Sequence, residues 1–168
     1  MRIYPSKQSD LPPADKPRVL NPVLVEMDIP LFYMTERGPV PWQHKVYCGR
    51  AFAETVLKAI NQLFREKRLG MVHIGFYNPR KARRKDGTPI VPARWSNHAY
   101  GEAVDFKGVT RGGSADEFVS IRQMKTSMTE ELTLLKSGCE AAIVALGRKP
   151  EIVDEGDWLH VGLWPPRR

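Results

Sequence analysis

Eight of the fourteen prolines in this 168-residue chain crowd into its first 42 residues, at positions 5, 12, 13, 17, 22, 30, 39 and 41. Proline fixes its own φ and has no N–H to give to a ladder, so helix interiors and central strands are disfavoured there. The expectation is an extended proline-rich arm over residues 1–45, packed on a domain formed by residues 46–168. The length suits one domain overall. Within the arm, Pro22 to Tyr33 is apolar enough to lie along the domain as an edge strand, limited by Pro30.

Beyond the arm the periodicity changes. Between Arg50 and Lys67, the residues Phe52, Val56, Ala59, Ile60, Leu63 and Phe64 recur at helical spacing, and Gly70 follows where a C-terminal cap would sit. Met71 to Tyr77 reads as a strand stopped by Asn78-Pro79. Ser127 with Glu130 has the spacing of a capping box, and Leu132, Leu135, Cys139, Ala142, Ile143 and Leu146 form one face behind it, ended by Gly147 and Pro150. Ser114 with Glu117 repeats that spacing after Gly112-Gly113 and signals a shorter helix. Glu151 to Val153 and Trp158 to Leu163 are strand candidates. This order predicts an α+β domain with a small antiparallel sheet packed against two main helices.

A formal charge of +7 predicts affinity for polyanions without choosing among nucleic acid, anionic lipid and envelope polymers. No nucleic-acid-binding motif accompanies the charge, so no specific nucleic-acid partner is expected. Cys48 and Cys139 form no C-x-x-C pair and read as buried, reduced thiols. The start, Met1-Arg2-Ile3-Tyr4-Pro5-Ser6-Lys7, lacks the apolar run of a secretory signal, and no stretch reaches membrane-spanning length. The expectation is cytoplasmic synthesis without a signal peptide, as a monomer. Action outside the membrane would then need a separate route.

The segment richest in chemistry is Ser96-Asn97-His98-Ala99-Tyr100-Gly101-Glu102-Ala103-Val104-Asp105-Phe106. Gly101 interrupts any helix and Ala-Val-Asp-Phe alternates as a strand does, which puts His98 on a loop and Asp105 on the strand it enters. Imidazole and carboxylate both ligate zinc, and a third protein ligand would leave one tetrahedral position open, the mark of a catalytic site. The other histidines are His44, His73 and His160. His160 follows the acidic turn Asp154-Glu155-Gly156-Asp157, His73 alternates within an apolar strand as a satisfied core residue would, and His44 reads as a surface or loop residue.

Ser-x-His, six residues, then Asp, with Gly101 and the apolar residues 103 and 104 between, resembles the zinc motif of the D-alanyl-D-alanine carboxypeptidase and L-alanyl-D-glutamate peptidase family. Asp157-x-x-His160 is similar to that family's second motif, and Tyr77-Asn78-Pro79-Arg80 resembles the approach to the zinc loop in its extensin-like and phage endolysin branches. The likeness runs from about Met71 to Leu163. It implies a Hedgehog/DD-peptidase-like fold and one zinc ion held by His98, Asp105 and His160. It further implies Asp157 as catalytic base, Arg80 as a catalytic and substrate-holding cation, and Ser96 as a substrate-binding residue. The implied activity is hydrolysis of an amide in the stem peptide of peptidoglycan, with peptidoglycan or muropeptides as partners and export through a holin or a secretion system. The alternative is a zinc-containing cell-wall-binding module without catalysis.

Two departures stand out: many relatives carry Glu at the base position, and many have a histidine where this chain has Gly162. Strand geometry adds a third difficulty, because residues three apart point to opposite faces. Asp157 reaches the site of His160 only through a bend, for which Gly156 is suited; otherwise Glu155 or Asp154 takes the role. Arg80 has competitors in Arg83, Arg84 and Arg94, within a basic loop that also holds Lys81 and Lys85. Trp95, Trp158 and Trp164 flank the motifs and either line a cleft or pack around the metal. Glu102 and Glu155 read as exposed.

Overall fold

The proline-rich stretch folds into strands, because its prolines fall where a missing N–H costs no ladder bond. The computed structural model describes residues 1–7, 17–84 and 86–164; Pro12, Pro13 and Lys85 lie outside the described residues. Strand β1 (Arg2–Pro5) ends on Pro5, β2 (Pro22–Glu26) begins on Pro22, and Pro30 separates it from β3 (Leu31–Thr35). Pro39 and Pro41 lie in β4 (Gly38–Pro41), the edge of its sheet, where proline is tolerated. With β5 (Val46–Gly49), strands β1 and β2 form a three-stranded antiparallel sheet in the order β1-β2-β5. Pro22 to Tyr33 is therefore not one edge strand. It contributes the central strand of the small sheet and the start of an inner strand, β3, of the large one.

Helix α1 runs without a break through Arg50–Phe52, a π-helical turn Ala53–Leu57 and the body Lys58–Lys67. It buries Phe52, Val56, Ile60 and Phe64, as their spacing requires. Its cap differs from expectation. Arg68 takes the left-handed conformation (φ 54°), while Gly70 lies within β6 (Leu69–Gly75). A Cβ at Gly70 would come within 2.3 Å of Thr110 Oγ1, so strand packing accounts for the glycine.

The large sheet follows the order β4-β3-β6-β7-β10-β9, with β7 (Ala103–Arg111), β9 (Lys149–Asp154) and β10 (Leu159–Trp164). Strand β8 (Phe118–Ser120) pairs with the end of β7. It is larger than a small sheet and not wholly antiparallel, since β3 and β6 run parallel, joined by a crossover that contains α1. Two further helices follow β8, α2 (Ile121–Ser127) and α3 (Thr129–Ala145). Among the described residues the architecture is α+β, with two sheets and three helices.

The capping signals are displaced by a few residues. The complete capping box is Ser120 with Gln123 at the start of α2. Ser127 instead ends α2, donating from Oγ to the Gln123 carbonyl, and Met128 precedes α3 with no side-chain cap. Ser114 caps only a short 3-10 turn, Ala115–Glu117. At the other end of α3 Gly147 does terminate the helix: its N–H donates to Val144 O and that of Arg148 to Ile143 O.

The helices cover one face of the large sheet. Leu135 and Ile143 of α3 and Phe64 of α1 join Val104, Phe106, Leu159 and Val161 in one buried core, with the Phe64 and Phe106 rings 5.5 Å apart. Cys48 and Cys139 are buried free thiols, and burial pushes the Cys139 thiol up to about 12. Because side chains alternate along a strand, the residues between these core positions point to the opposite face. Asp105 and His160 are among them.

Candidate metal centre

Asp105 and His160 are direct cross-strand partners, on β7 and β10, and so share one face of the sheet. His98 arrives from a 3-10 turn, Asn97–Tyr100, just ahead of β7. Gly101 ends that turn with φ 66°, and a Cβ there would stand 2.9 Å from Gly49 N, so both the conformation and the fit against β5 require glycine. The turn brings His98 over Asp105, as the sequence suggested, and one ligand atom from each of His98, Asp105 and His160 lies within 4.8 Å of the others.

The hydrogen bonds orient these groups for a cation. His98 Nδ1 lies 2.8 Å from the carbonyl of Phe76, which can only accept, so Nδ1 carries the proton. A β-bulge at the end of β6, where His73 pairs with Phe106 and Gly75 with Asp105, leads into Phe76. His98 Nε2 is left buried, without a hydrogen-bond partner and 3.1 Å from Asp105 Oδ1. A histidine fixed through one N–H on a backbone carbonyl, with its other nitrogen left without a hydrogen-bond partner, has the arrangement of a metal-ligating histidine. His160 Nδ1 stands 2.8 Å from the same Asp105 oxygen. Burial lowers the affinity of the His160 ring for a proton, but Asp105 and Glu151 outweigh it and raise its pKa to about 9. Burial likewise works to raise Asp105, and the two imidazoles overcome it and hold the carboxyl below the usual range. Two nitrogens and a carboxylate oxygen gathered this closely could hold a metal ion.

A residue the sequence reading passed over completes the support. Glu151 on β9 projects on the same face as His160, places Oε2 3.5 Å from His160 Nε2, and accepts a hydrogen bond from Asn97 Nδ2, which also donates to Leu163 O. Gly162 sits between them: a Cβ there would be 3.1 Å from both His160 Nε2 and Asn97 Nδ2. Glycine where many relatives of the resembled family carry histidine thus makes room for the Asn97–Glu151 support. Glu151's register opposite Gly162, two pairs beyond His160, was the only signal for it, and it needs the hairpin to be known first.

His98, Asp105 and His160 open into a cavity of about 390 Å³. Arg80 lines it, with Nη2 4.0 Å from Asp105 Oδ2, and so does Ser96, whose buried Oγ has no hydrogen-bond partner. Arg83, Arg84 and Arg94 line it too, as do Trp95 and Trp158. Trp164 instead stacks under Arg94, 4.2 Å from ring to guanidinium.

The expected base is placed elsewhere. The chain does bend at Gly156 (φ 89°), but the turn closed by Glu155 N–H on Trp158 O carries Asp157 to an exposed tip, where it pairs with Arg122 at 3.2 Å. Asp157 does not line the cavity, and Asp154 is held by Lys125 at 2.8 Å. Of the three acidic candidates only Glu155 lines it, half-buried rather than exposed. Glu102 is also not exposed: it is buried against Arg148, with contacts of 3.0 and 3.4 Å. His73 is buried as expected, yet neither ring nitrogen has a hydrogen-bond partner.

No helix among the described residues is long and apolar enough to cross a membrane. No protein-family model, curated protein or solved structure matches the chain.

Proposed function

We propose that this chain is a zinc-dependent peptidase with a Hedgehog/DD-peptidase-like fold, hydrolysing an amide in the stem peptide of bacterial peptidoglycan. The observation that carries the reading is the convergence of His98 Nε2, Asp105 and His160 on one point at the floor of a cavity, with the His98 tautomer already set by Phe76. Zinc held there would supply Lewis-acid polarisation and lower the pKa of water, the chemistry of amide hydrolysis at neutral pH. The choice of peptidoglycan rests on the two motifs around His98 and His160. Export through a holin or a secretion system belongs to the same proposal.

The chain's own residues divide the remaining work. Arg80 sets a fixed positive charge beside Asp105, where it holds a substrate carbonyl or carboxylate and offsets negative charge as the carbonyl is attacked. Ser96 Oγ offers a hydrogen bond from the cavity wall. Trp95 and Trp158 give flat surfaces against which a peptide excludes water. Glu155, the carboxylate of the 154–157 turn that lines the cavity, accepts the proton of water and returns it to the leaving amine.

A second reading, a zinc-containing wall-binding module, is favoured by one observation: Asp157, the acidic residue of the second motif, is engaged by Arg122 outside the cavity. The experiment that separates the two is mass spectrometry of muropeptides after incubation with zinc-loaded protein, with and without chelator. New termini that vanish with chelator, persist in Asp157→Asn and disappear in Glu155→Gln support the peptidase with Glu155 as base. Loss in Asp157→Asn instead moves the base to Asp157. Zinc-loaded protein that binds wall and produces no new termini supports the module.

A further inference from the structure

The cavity of the metal centre is lined by five cations, Arg80, Lys81, Arg83, Arg84 and Arg94, all from one loop. The loop is not irregular. Residues Lys81 and Trp95 pair across it as antiparallel bridge partners, Arg83 pairs with Pro89, and the Ala82 and Arg84 N–H groups donate to Arg94 O and Thr88 O. It is a basic hairpin standing over the sheet face that carries the ligands.

The five cations differ in what engages them. Arg80 faces Asp105, Lys81 Nζ lies 3.8 Å above the Trp95 ring, and Arg94 stacks on Trp164. Arg83 and Arg84 have no carboxylate within ion-pair distance among the described residues, although both line the cavity. Of the carboxylates lining the cavity, Glu151 accepts from Asn97 and lies beside His160, Asp105 faces both imidazoles, and Glu155 makes no ion pair with Arg83 or Arg84. Clustered guanidinium groups repel one another, and a planar, permanently charged fork is matched by a carboxylate that accepts two N–H bonds at once.

We infer that Arg83 and Arg84 form an anion subsite for a free carboxylate of the substrate, so that the protein selects acidic peptides over their amidated forms. This rests on the peptidase reading for what occupies the metal end of the cavity, but the subsite is a property of the hairpin. The substrate is then an extended peptide with its reacting amide at the His98–Asp105–His160 end and an acidic side group or terminus under the basic hairpin.

The test uses the full-length zinc-loaded protein and two synthetic stem peptides of one sequence, with carboxylates free in one and amidated in the other. Binding is followed by the fluorescence of the cavity tryptophans, and cleavage by mass spectrometry. The free-acid peptide is expected to bind at least about tenfold tighter at low salt, the size of one charge-assisted contact, with the preference shrinking as salt rises. In the Arg83→Gln/Arg84→Gln double variant the two peptides are expected to bind alike, and Arg83→Lys/Arg84→Lys is expected to restore part of the preference. Both side chains are exposed, so the fold should survive the changes. Equal binding of the two peptides by the wild type, or a preference unchanged in the double variant, overturns the subsite. So does polyphosphate binding tighter than the free-acid peptide and depending on the same arginines, which would make the hairpin a polymer-phosphate reader. A protein that prefers the free acid and cleaves neither peptide refutes the peptidase reading and leaves the subsite standing.

Discussion

His73 gives the structure a built-in acid sensitivity whose size can be worked out. Its ring is buried among Tyr33, Trp42 and Phe76, with centroids 5.7, 5.2 and 4.4 Å away, and neither nitrogen is hydrogen-bonded. Burial lowers its pKa from 6.5 to about 4. Above pH 6.5 the ring is neutral in both folded and unfolded chains and costs nothing. As pH falls below 6.5 the unfolded chain takes up a proton that the folded chain refuses, so stability declines until the folded ring also titrates near 4. At about 1.4 kcal/mol per unit, the full loss is about 3 kcal/mol, most of it reached by pH 4.5. Other groups add to the pH dependence between the two conditions, His160 at the neutral end among them, so the measurement is a difference. Urea denaturation of wild type and His73→Phe at pH 7.5 and 4.5 should show the variant gaining about 2–3 kcal/mol on the wild type between the two conditions. A stability difference that is flat with pH would refute the reasoning, and would mean that water or a rearranged partner reaches the ring.

Three further outcomes follow from other contacts. Arg148→Ala removes the guanidinium that faces the buried Glu102 carboxylate and should cost about 3–5 kcal/mol by denaturation, while the double change Glu102→Gln/Arg148→Met should recover much of it; equal losses would show that the pair is not what matters. Glu151→Gln removes the charge held between Asn97 and His160 and should weaken zinc binding by about 10-fold to 100-fold in competition with a chelating dye, without unfolding the chain. Gly162→Ala pushes a methyl group against His160 and Asn97, and should weaken zinc binding by a similar order while circular dichroism stays unchanged; an unaltered affinity would mean that β10 yields at that point.

What the sequence made legible depended on how local the physics was. Helix α1 was readable because its buried stripe repeats within one element, and His98 and Asp105 because a single glycine, Gly101, forces the turn between them. The N-terminal strands were missed because proline forbids only interior ladder positions, and a sheet edge exists only once the whole sheet is assembled. Glu102 looked exposed for a similar reason: its partner Arg148 lies 46 residues away, beyond any local pattern. The capping box at Ser120 and Gln123 shows a different failure. Three serines offer comparable spacing, and tertiary packing decides which of them begins a helix.

The placement of Asp157 follows from strand parity rather than from any peculiarity of the turn. His160 must share a face with Asp105 to be a ligand, and that fixes Trp158 and Gly162 on the site face and Leu159, Val161 and Leu163 on the core face. A residue three before the ligand starts with the wrong parity, so only an irregular turn can return it. The turn closed by Glu155 and Trp158 is irregular, yet Arg122 on α2 lies where it captures the carboxylate at the tip. Glu155 stays against the cavity because it leaves β9 directly after Asp154, before the turn begins to swing outward. The acidic run 154–157 therefore carries two signals that a linear motif merges. Its spacing to His160 marks the hairpin, while the hairpin's geometry selects which carboxylate lines the cavity.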